Sequence, residues 1–427
     1  MSKRSISLWQ ATAIGLGNII GAGIFVLAGS VIHQAGPGAI ISFLITAVLA
    51  VTVALNSAEL SSKIVSHGGL YSFAKETMGE AMGFIVGWLR AISYAIATSA
   101  VALGFSSYLL TMLGISSISY EILLAIVLMA FAVFLNYIGI NVVADIEEVL
   151  VILTAGGLVM FIILSLIYGK WIPTRFTPLI PHGYFSIIQS ASLAFFAYSG
   201  FNTVATLTPE IVNGRKNAPK AIILSLGIST VLYLLVVAGM IALMPWQLYS
   251  ITADPLLEAL NFSKAPLFVD RIIGIIAVVA TVTVTLSLIV AGSRTLLQMS
   301  DDGLLPKTLG KEDSPKRAVL LIGIIAIISV FLGNIQYIAL ASNFGVIFSY
   351  AITGLAVYIV RKRKIEGPFN SPLYPYVQIL SILLSILVML ALGTQALYIG
   401  SVTIIAGMFL YALEKEEIGL LDKQKRL

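Results

Sequence analysis

The chain contains no cysteine, only three histidines and few charged residues. Without cysteine it forms no disulfide and no thiolate metal site. Charged residues make up 11% of its 427 positions and hydrophobic residues 59%, a balance that would leave far too much apolar surface in water for a soluble domain. The mean hydropathy of +1.01 therefore favours a helical protein that crosses a membrane several times.

The sequence also lacks the motifs of an intramembrane enzyme or a channel. No HExxH or GxSxG motif occurs, and no filter-like polar run or ring of charges stands out. We therefore expect no enzyme activity, no catalytic residues, no resident metal and no cofactor. The net charge of +5 does not indicate nucleic acid, because the basic residues are dispersed between the apolar runs.

Apolar runs divide the sequence into twelve predicted transmembrane helices. Each run has about 20 residues, the length that spans a hydrocarbon core of ~30 Å. The runs cover residues 8–32, 38–60, 82–110, 120–138, 147–168, 185–210, 219–243, 268–299, 318–333, 336–360, 374–392 and 395–413.

The positions of Lys and Arg predict the orientation of these helices. Cytoplasmic loops carry an excess of basic residues, and most of the basic residues fall in alternate loops. Only four fall on the other side, Lys170, Arg175, Lys264 and Arg271. We therefore expect a multi-pass protein of the cell membrane with both termini in the cytoplasm. The RKRK run at 361–364 is typical of a helix flank on the inner side.

Glycines are concentrated in the first apolar run, which contains GLGNIIGAGIFVLAG at residues 15–29. Glycine inside a helix costs roughly 1 kcal/mol relative to alanine. Within a membrane, a helix is interrupted only where its free backbone groups face a cavity, a ligand or other protein. The run therefore indicates either an interrupted helix at a binding site or close packing through small residues.

A second interruption favours the binding site. The sixth run contains LAFFAYSGFNTVATLTPE at residues 193–210, with a Ser-Gly pair in its middle. The first and sixth runs stand five apart, as expected for two five-helix repeats of inverted topology. The N–H groups and positive dipole end of a second half-helix suit a carboxylate, whereas carbonyls that end a first half-helix suit an ammonium or a metal cation. The pattern predicts a midplane site for an ion or a zwitterion.

Five segments resemble the amino acid–polyamine–organocation (APC) transporters and occur in that family's order. They are IIGAGIFV at 19–26, ELSSKIVSHGGLYSF at 59–73, FFAYSGF at 195–201, PEIVNGRKNAPKAI at 209–222 and SRTLLQMSDDGLLP at 293–306. The resemblance implies an all-α membrane protein with the LeuT-like fold, a 5+5 inverted repeat whose first and sixth helices are discontinuous. It also implies secondary active transport of amino acids by alternating access.

The resemblance implies that the chain is divided into three parts. A ten-helix transport core covers 1–360, with repeat one at about 8–168 and repeat two at about 185–360. Two accessory helices lie within 361–413, and 414–427 forms a short cytoplasmic tail.

The resemblance also assigns substrate-binding residues. It places the substrate carboxylate on the backbone N–H groups at the start of the second half-helix, and the amino group on carbonyls beside both breaks. Small residues of the third run leave room for the substrate side chain, and Asn202 stands where relatives often carry an acid. The assigned residues are Ala22, Gly23 and Ile24 for the carboxylate, Ile19, Phe196 and Ser199 for the amino group, and Ala95, Thr98 and Asn202 for the side-chain pocket.

The sequence leaves open which ion, if any, is coupled to transport. Many proton-coupled relatives carry a lysine where this chain has Thr154, and threonine holds no proton at neutral pH. Na⁺ would fit there, with hydroxyls of Thr154, Thr283 and Ser287 beside the carbonyls of Gly17 and Ile20. Alternatively, the threonines of the eighth run bond their own helix. Proton coupling through another group stays open as well, and so does uniport or exchange without ion coupling.

Charges close to the predicted cytoplasmic helix ends suggest an inner gate. The candidates are Glu59, Arg90, Glu210 and Arg294; alternatively, they are helix-end charges in the wet interface.

The lack of a mid-span acid weakens the case for a polyamine or organic cation as substrate, although aromatic rings also bind cations. A non-transporting amino acid sensor also stays open. The expected partners are an amino acid and membrane lipids.

Overall fold

The structure is a computed structural model that describes residues 6–20, 22–66, 68–138, 143–309 and 316–424. Over these residues the chain is helical apart from loops, short 3₁₀ turns and one isolated β-bridge between Ile6 and Ile211. The α-helices are α1 (Leu8–Ile19), α2 (Ala22–Ala35), α3 (Ala39–Lys63), α4 (Leu70–Met78), α5 (Glu80–Met112), α6 (Ile118–Tyr137), α7 (Val143–Tyr168), α8 (Tyr184–Tyr198), α9 (Thr203–Thr206), α10 (Gly214–Leu243), α11 (Pro255–Phe262), α12 (Leu267–Asp301), α13 (Lys316–Ser329), α14 (Ile335–Lys362), α15 (Tyr376–Leu390) and α16 (Thr394–Gln424).

Eight helical segments of the described residues are long and apolar enough to cross a membrane. This confirms a multi-pass, all-helical membrane protein. The shorter helices α1, α8, α13 and α15 cover the remaining parts of the predicted runs. The eight segments are Gly23–Lys63, Glu80–Met112, Ile118–Tyr137, Val149–Tyr168, Gly214–Leu243, Phe268–Asp301, Ile335–Lys362 and Thr394–Lys415.

The first and sixth predicted runs are each divided between two helices. Helix α1 begins with a capping box, in which the Ser7 hydroxyl accepts from the Gln10 N–H at 3.2 Å, and it ends at Ile19, before α2 begins at Ala22. Helix α8 ends at Tyr198, and the next helix begins only at Thr203. The chain between α8 and α9 is extended at its start, where Ser199 has φ −67° and ψ 139°.

The helices pack in a connected bundle around the broken ones. Helix α1 contacts α7 and α10, and α8 contacts α3, α14 and α2. The long helices α5 and α12 contact each other along the bundle, and both contact α6 and α13. Helix α5 also packs against α14 and α4, and α12 also packs against α7. Most buried apolar side chains form one core that includes the ends of the broken helices, and a second, smaller cluster lies between α5, α6, α12 and α13.

Two polar networks hold loops to helix ends. The Glu59 carboxylate accepts from Lys63 Nζ at 2.6 Å, from Arg361 at 2.8 Å and from the Ser371 N–H at 2.8 Å. It therefore joins the end of α3 to the end of α14 and the segment that follows. In the second network, Asp302 after α12 accepts from two residues of α4, namely Lys75 Nζ at 2.7 Å and the Tyr71 hydroxyl at 2.6 Å.

Candidate functional site

The two helix breaks lie against each other. Gly200, between α8 and α9, has φ +123°, a conformation that side-chain-bearing residues rarely adopt. A Cβ atom at this position would lie 2.3 Å from the carbonyl oxygen of Asn18, in the last turn of α1. Glycine is therefore required twice, once for the turn and once for the contact between the breaks.

A tyrosine of α10 links the ends of both broken helices. The Tyr233 hydroxyl donates to the carbonyl oxygen of Ile19 at 2.5 Å and lies 3.0 Å from that of Ala197. The ring is fully buried beside Tyr198, with 5.2 Å between ring centroids. Sequence analysis missed Tyr233. The available signal was a single tyrosine in the aliphatic run of α10, because a buried tyrosine hydroxyl needs a partner.

Two of the carbonyls predicted to meet the substrate amino group, those of Ile19 and Phe196, already accept hydrogen bonds at these ends. The Ile19 carbonyl accepts from Tyr233, and the Phe196 carbonyl accepts from the Ser199 hydroxyl at 2.8 Å. A carbonyl oxygen has two lone pairs. The Ser199 N–H also donates to the Phe196 carbonyl, at 3.3 Å. The Ile19 oxygen therefore keeps one acceptor position for a ligand, whereas Ser199 uses both positions of the Phe196 oxygen.

Residues at the start of α2 serve packing as well. A Cβ atom on Gly23 would lie 2.2 Å from the Cα atom of Ala197, so the close-packing alternative applies to this glycine. Ile24 is fully buried. The first N–H groups of a helix have no partner inside it, which leaves those of Ala22, Gly23 and Ile24 as donors near the break. The side chain of Ala22 lies outside the described part.

The predicted side-chain pocket is only partly assembled. Asn202 is 3% exposed, and neither its amide nitrogen nor its amide oxygen has a hydrogen-bond partner among the described residues. The buried Thr98 hydroxyl donates to the carbonyl of Tyr94 at 2.8 Å. Ala95 belongs instead to the smaller cluster, with Ala132 and Ile289. It faces α6 and α12 rather than the breaks, and this differs from its predicted place in the pocket.

The five predicted coupling-ion residues line one small cavity. Its volume is about 20 Å³, enough for one water-sized occupant. The Thr154 hydroxyl donates to Val151 at 3.0 Å and the Thr283 hydroxyl to Val279 at 2.8 Å. Each threonine therefore bonds its own helix while its oxygen keeps lone pairs. The cavity is lined by Gly17, Asn18, Ile20, Leu150, Val151, Thr154, Ala280, Thr283, Val284 and Ser287.

Two of the predicted gate residues, Glu59 and Arg90, pair with residues outside the predicted set. Glu59 pairs with Lys63 and Arg361, because Arg361 at the end of α14 reaches the end of α3. Arg90 is 6% exposed and donates to the Tyr94 hydroxyl, with its guanidinium 4.6 Å from the centre of that ring.

The other two gate candidates lie in different settings. Arg294 is exposed on α12. The Glu210 carbonyl accepts from the Ile6 N–H at 2.9 Å, and the Val212 N–H donates to Ile6 at 2.9 Å. The segment before α1 is therefore hydrogen-bonded to the segment after α9.

Broken helices that meet inside a multi-pass bundle are typical of secondary transporters. Residues 6–413 match the amino acid permease family, and the chain belongs to this family, within the APC superfamily. It is 31% identical to the branched-chain amino acid permease BcaP of Bacillus subtilis, over 99% of this chain and 95% of that protein. It is also 31% identical to the methylthioribose transporter of B. subtilis, over 98% and 95%. A third relative, BcaP of Lactococcus lactis, is 30% identical over 93% and 92%. The family and these relatives are permeases, not enzymes.

Proposed function

We propose that this protein is a secondary active transporter that moves a zwitterionic amino acid across the cell membrane by alternating access. The observation that carries the proposal is the meeting of the two breaks, where Gly200 touches Asn18 and Tyr233 links Ile19 to Ala197. Free N–H groups with a positive dipole end and free carbonyls with a negative one lie there within a few residues. A molecule with one carboxylate and one ammonium matches both.

In the proposed site, the carboxylate accepts from the N–H groups of Ala22, Gly23 and Ile24. The ammonium donates to the free lone pair of the Ile19 carbonyl and to the carbonyl of Ser199, and the Phe196 carbonyl joins when Ser199 releases one of its two hydrogen bonds to it. Thr98 and Asn202 stand at the side-chain end. No charged protein group is needed, because backbone dipoles neutralise both ends of the substrate.

The substrate we infer is a neutral amino acid with an aliphatic side chain. Ile19, Ile24 and Phe196 are buried apolar residues at the breaks, and such surroundings favour an apolar side chain. Asn202, an amide, stands where an acid would serve a cationic substrate. Two of the similar relatives are named branched-chain amino acid permeases.

The helix contacts support the LeuT-like arrangement of twelve spans, with a 5+5 inverted repeat in 1–360 and two accessory helices after it. Helix contacts within the bundle are preserved when the helices of the two repeats are exchanged in order. Repeat one contains α1/α2, α3, α5, α6 and α7, and repeat two contains α8/α9, α10, α12, α13 and α14. The pair α1–α7 maps onto α8–α14, α3–α8 onto α10–α1, α5–α14 onto α12–α7, and α3–α14 onto α10–α7. Such exchange symmetry is what two inverted repeats produce.

Sodium is the coupling ion we propose. The C-terminal end of α1, with its negative dipole, reaches the cavity at Gly17 and Ile20, and a cation is favoured there. Hydroxyl oxygens of Thr154, Thr283 and Ser287 complete an all-oxygen set on the opposite wall. The Thr154 and Thr283 hydroxyls point their protons at their own helices, so their lone pairs are available to the ion.

Counterflow in proteoliposomes tests the transport proposal. Vesicles that contain the purified chain and are loaded with unlabelled leucine should accumulate radiolabelled leucine from outside, and protein-free vesicles should not. External lysine should compete poorly. Saturable leucine binding without counterflow would overturn transport in favour of an amino acid sensor.

Sodium coupling is tested by replacing Na⁺ with choline during uptake. We expect uptake to fall at least tenfold, and Thr283→Val to weaken the dependence on Na⁺. The matched control is Thr285→Val, since Thr285 lies on the same helix and its hydroxyl also bonds that helix, to Thr281 at 2.8 Å. Unchanged uptake in choline would remove Na⁺ and leave proton coupling, uniport or exchange.

A further inference from the structure

Arg90, a buried arginine of α5, forms no ion pair with a carboxylate of the described residues. Arg90 donates one hydrogen bond to Tyr94 through Nη2, whereas Nη1 is buried with no hydrogen-bond partner among the described residues. The described groups that interact with its charge are the tyrosines Tyr94 and Tyr350. A cation inside a membrane protein is costly without a counter-charge, and such residues usually mark ion or substrate paths.

Two further buried polar groups face the same place. Tyr350 of α14 lies beside both Arg90 and Asn202, yet its hydroxyl forms no hydrogen bond of standard geometry in the described structure. The amide of Asn202 is likewise buried without a partner. The Tyr350 hydroxyl is thus within reach of both Arg90 and Asn202, but these contacts lack the geometry of a hydrogen bond. Arg90 Nη1, the Tyr350 hydroxyl and Asn202 Nδ2 therefore keep donor capacity on three different segments of the chain.

Packing against aromatic rings holds two of these donors, those of Tyr350 and Arg90. The Tyr350 ring lies 5.4 Å from the rings of Phe195 and of Phe201, which flank the break between α8 and α9. The Arg90 guanidinium stacks on Tyr94. Because the surrounding rings hold these two donors in place, a ligand would meet a preformed pair.

We propose that Arg90, Tyr350 and Asn202 form a binding site for a small monovalent anion. An anion supplies the missing counter-charge and accepts from all three donors, whereas water supplies no charge. The chemistry fits either chloride from solution or the carboxylate of the transported amino acid. Arg90 precedes Thr98 by eight residues, about 12 Å along the helix. Arg90 thus lies on the predicted cytoplasmic side of Thr98, and the anion site shares Asn202 with the proposed side-chain pocket. A chloride site is independent of the proposed function, whereas assigning the anion as the substrate carboxylate rests on it.

Thermal unfolding of the full chain in lipid nanodiscs tests the site. Sodium chloride is titrated against sodium gluconate at constant ionic strength, without amino acid, and then leucine is titrated in gluconate. A third arm uses 3-methylbutylamine, which is leucine without its carboxylate. A saturable rise of the unfolding midpoint with chloride assigns the site to chloride. A rise with leucine, but not with chloride or 3-methylbutylamine, that is lost in Arg90→Gln assigns the site to the substrate carboxylate.

Variants identify the residues that bind the anion. Arg90→Gln should abolish the chloride response, or the part of the leucine response that 3-methylbutylamine does not reproduce. Tyr350→Phe, which keeps the ring, should weaken that response about tenfold, as expected for one lost charge-assisted hydrogen bond. The control is Arg271→Gln, an exposed arginine of α12, which should respond like the wild type. A chloride response that survives both Arg90→Gln and Tyr350→Phe overturns the chloride site. A leucine response that survives both belongs to the backbone site at the helix breaks and removes the substrate carboxylate as the anion at Arg90. The absence of any response to chloride and leucine also overturns the site. The chloride arm needs no transport, so its result is separate from that of counterflow.

Discussion

At the scale of single residues, the site depends on backbone groups that a few side chains hold in place. Gly200 permits the turn and the contact with Asn18, and Tyr233 ties Ile19 to Ala197. The sequence predicted the interruption at Ser199-Gly200, because a polar break in an apolar run is visible without a structure. It did not predict Tyr233, since the partner carbonyls are far away in sequence.

Replacing Gly200 with alanine should damage the site. The added methyl group meets the Asn18 carbonyl, and the positive φ is unfavourable for alanine, at about 1–3 kcal/mol. We expect leucine counterflow to be lost while the protein stays in the membrane. Gly227→Ala is the control, because Gly227 lies in helix α10 with free space around it and alanine is favoured in a helix. Full counterflow by Gly200→Ala would show that the contact between the breaks is dispensable.

Removing the Tyr233 hydroxyl should loosen the breaks without disturbing the ring. Tyr233→Phe leaves two buried carbonyls with one donor fewer, at a cost of about 1–3 kcal/mol. We expect weaker leucine binding, measured by scintillation proximity, together with a small fall in the unfolding midpoint. Tyr398→Phe, at an exposed tyrosine of α16, should change neither. Wild-type leucine affinity in Tyr233→Phe would contradict the role we assign to the hydroxyl.

At the scale of helices, polar networks decide which helix ends move together. Glu59, at the end of α3, is bound to α14 by Arg361. The sequence identified Glu59 as an unusual charge at a helix end, but it assigned the RKRK run only to membrane topology. The pairing needs α3 and α14 side by side, which no local pattern of residues specifies.

Glu59→Gln should destabilise the protein. It leaves Lys63 and Arg361 without their counter-charge, and breaking a buried pair costs about 3–5 kcal/mol. We expect the lower end of that range, because Arg361 is 22% exposed. The measurement is the unfolding midpoint in detergent, with Glu366→Gln at an exposed loop position as control. Equal midpoints for the two variants would rule out a stabilising role for the network.

The link between α12 and α4 should weaken in acid. Burial by itself would raise the pKa of Asp302, but hydrogen bonds from Lys75, Tyr71 and Gln298 and the charge of Lys75 outweigh it and lower the pKa below its usual 3.8. A carboxylate with a lowered pKa contributes stability above its unfolded pKa and loses that contribution as the pH falls through the folded value. The wild type should therefore unfold at a higher temperature than Asp302→Asn near neutral pH. This difference in unfolding temperature should shrink as the pH falls below 3.8, the usual pKa of the Asp302 carboxyl. A difference that does not change with pH would contradict the role we assign to Asp302.

At the scale of the whole molecule, the basic residues predict which loops face the cytoplasm. The chain has no native cysteine, so single cysteines report on topology without background. Thr174→Cys, in the exposed loop after α7, should react with a membrane-impermeant maleimide in intact cells. Glu366→Cys, after α14, should react only after permeabilisation. The reverse pattern would invert the proposed orientation.

The sequence by itself determined that the chain is a helical membrane protein, roughly where its helices lie and where two of them break. Hydropathy, glycine and polar interruptions are local properties, and the bilayer penalises any unsatisfied backbone group that they leave. Only the tertiary structure decided that the two breaks touch, that Tyr233 bridges them, that Ala95 faces another cluster and that Arg90 lies among tyrosines. These contacts join residues distant in sequence, and they depend on which helix faces come together when the bundle packs.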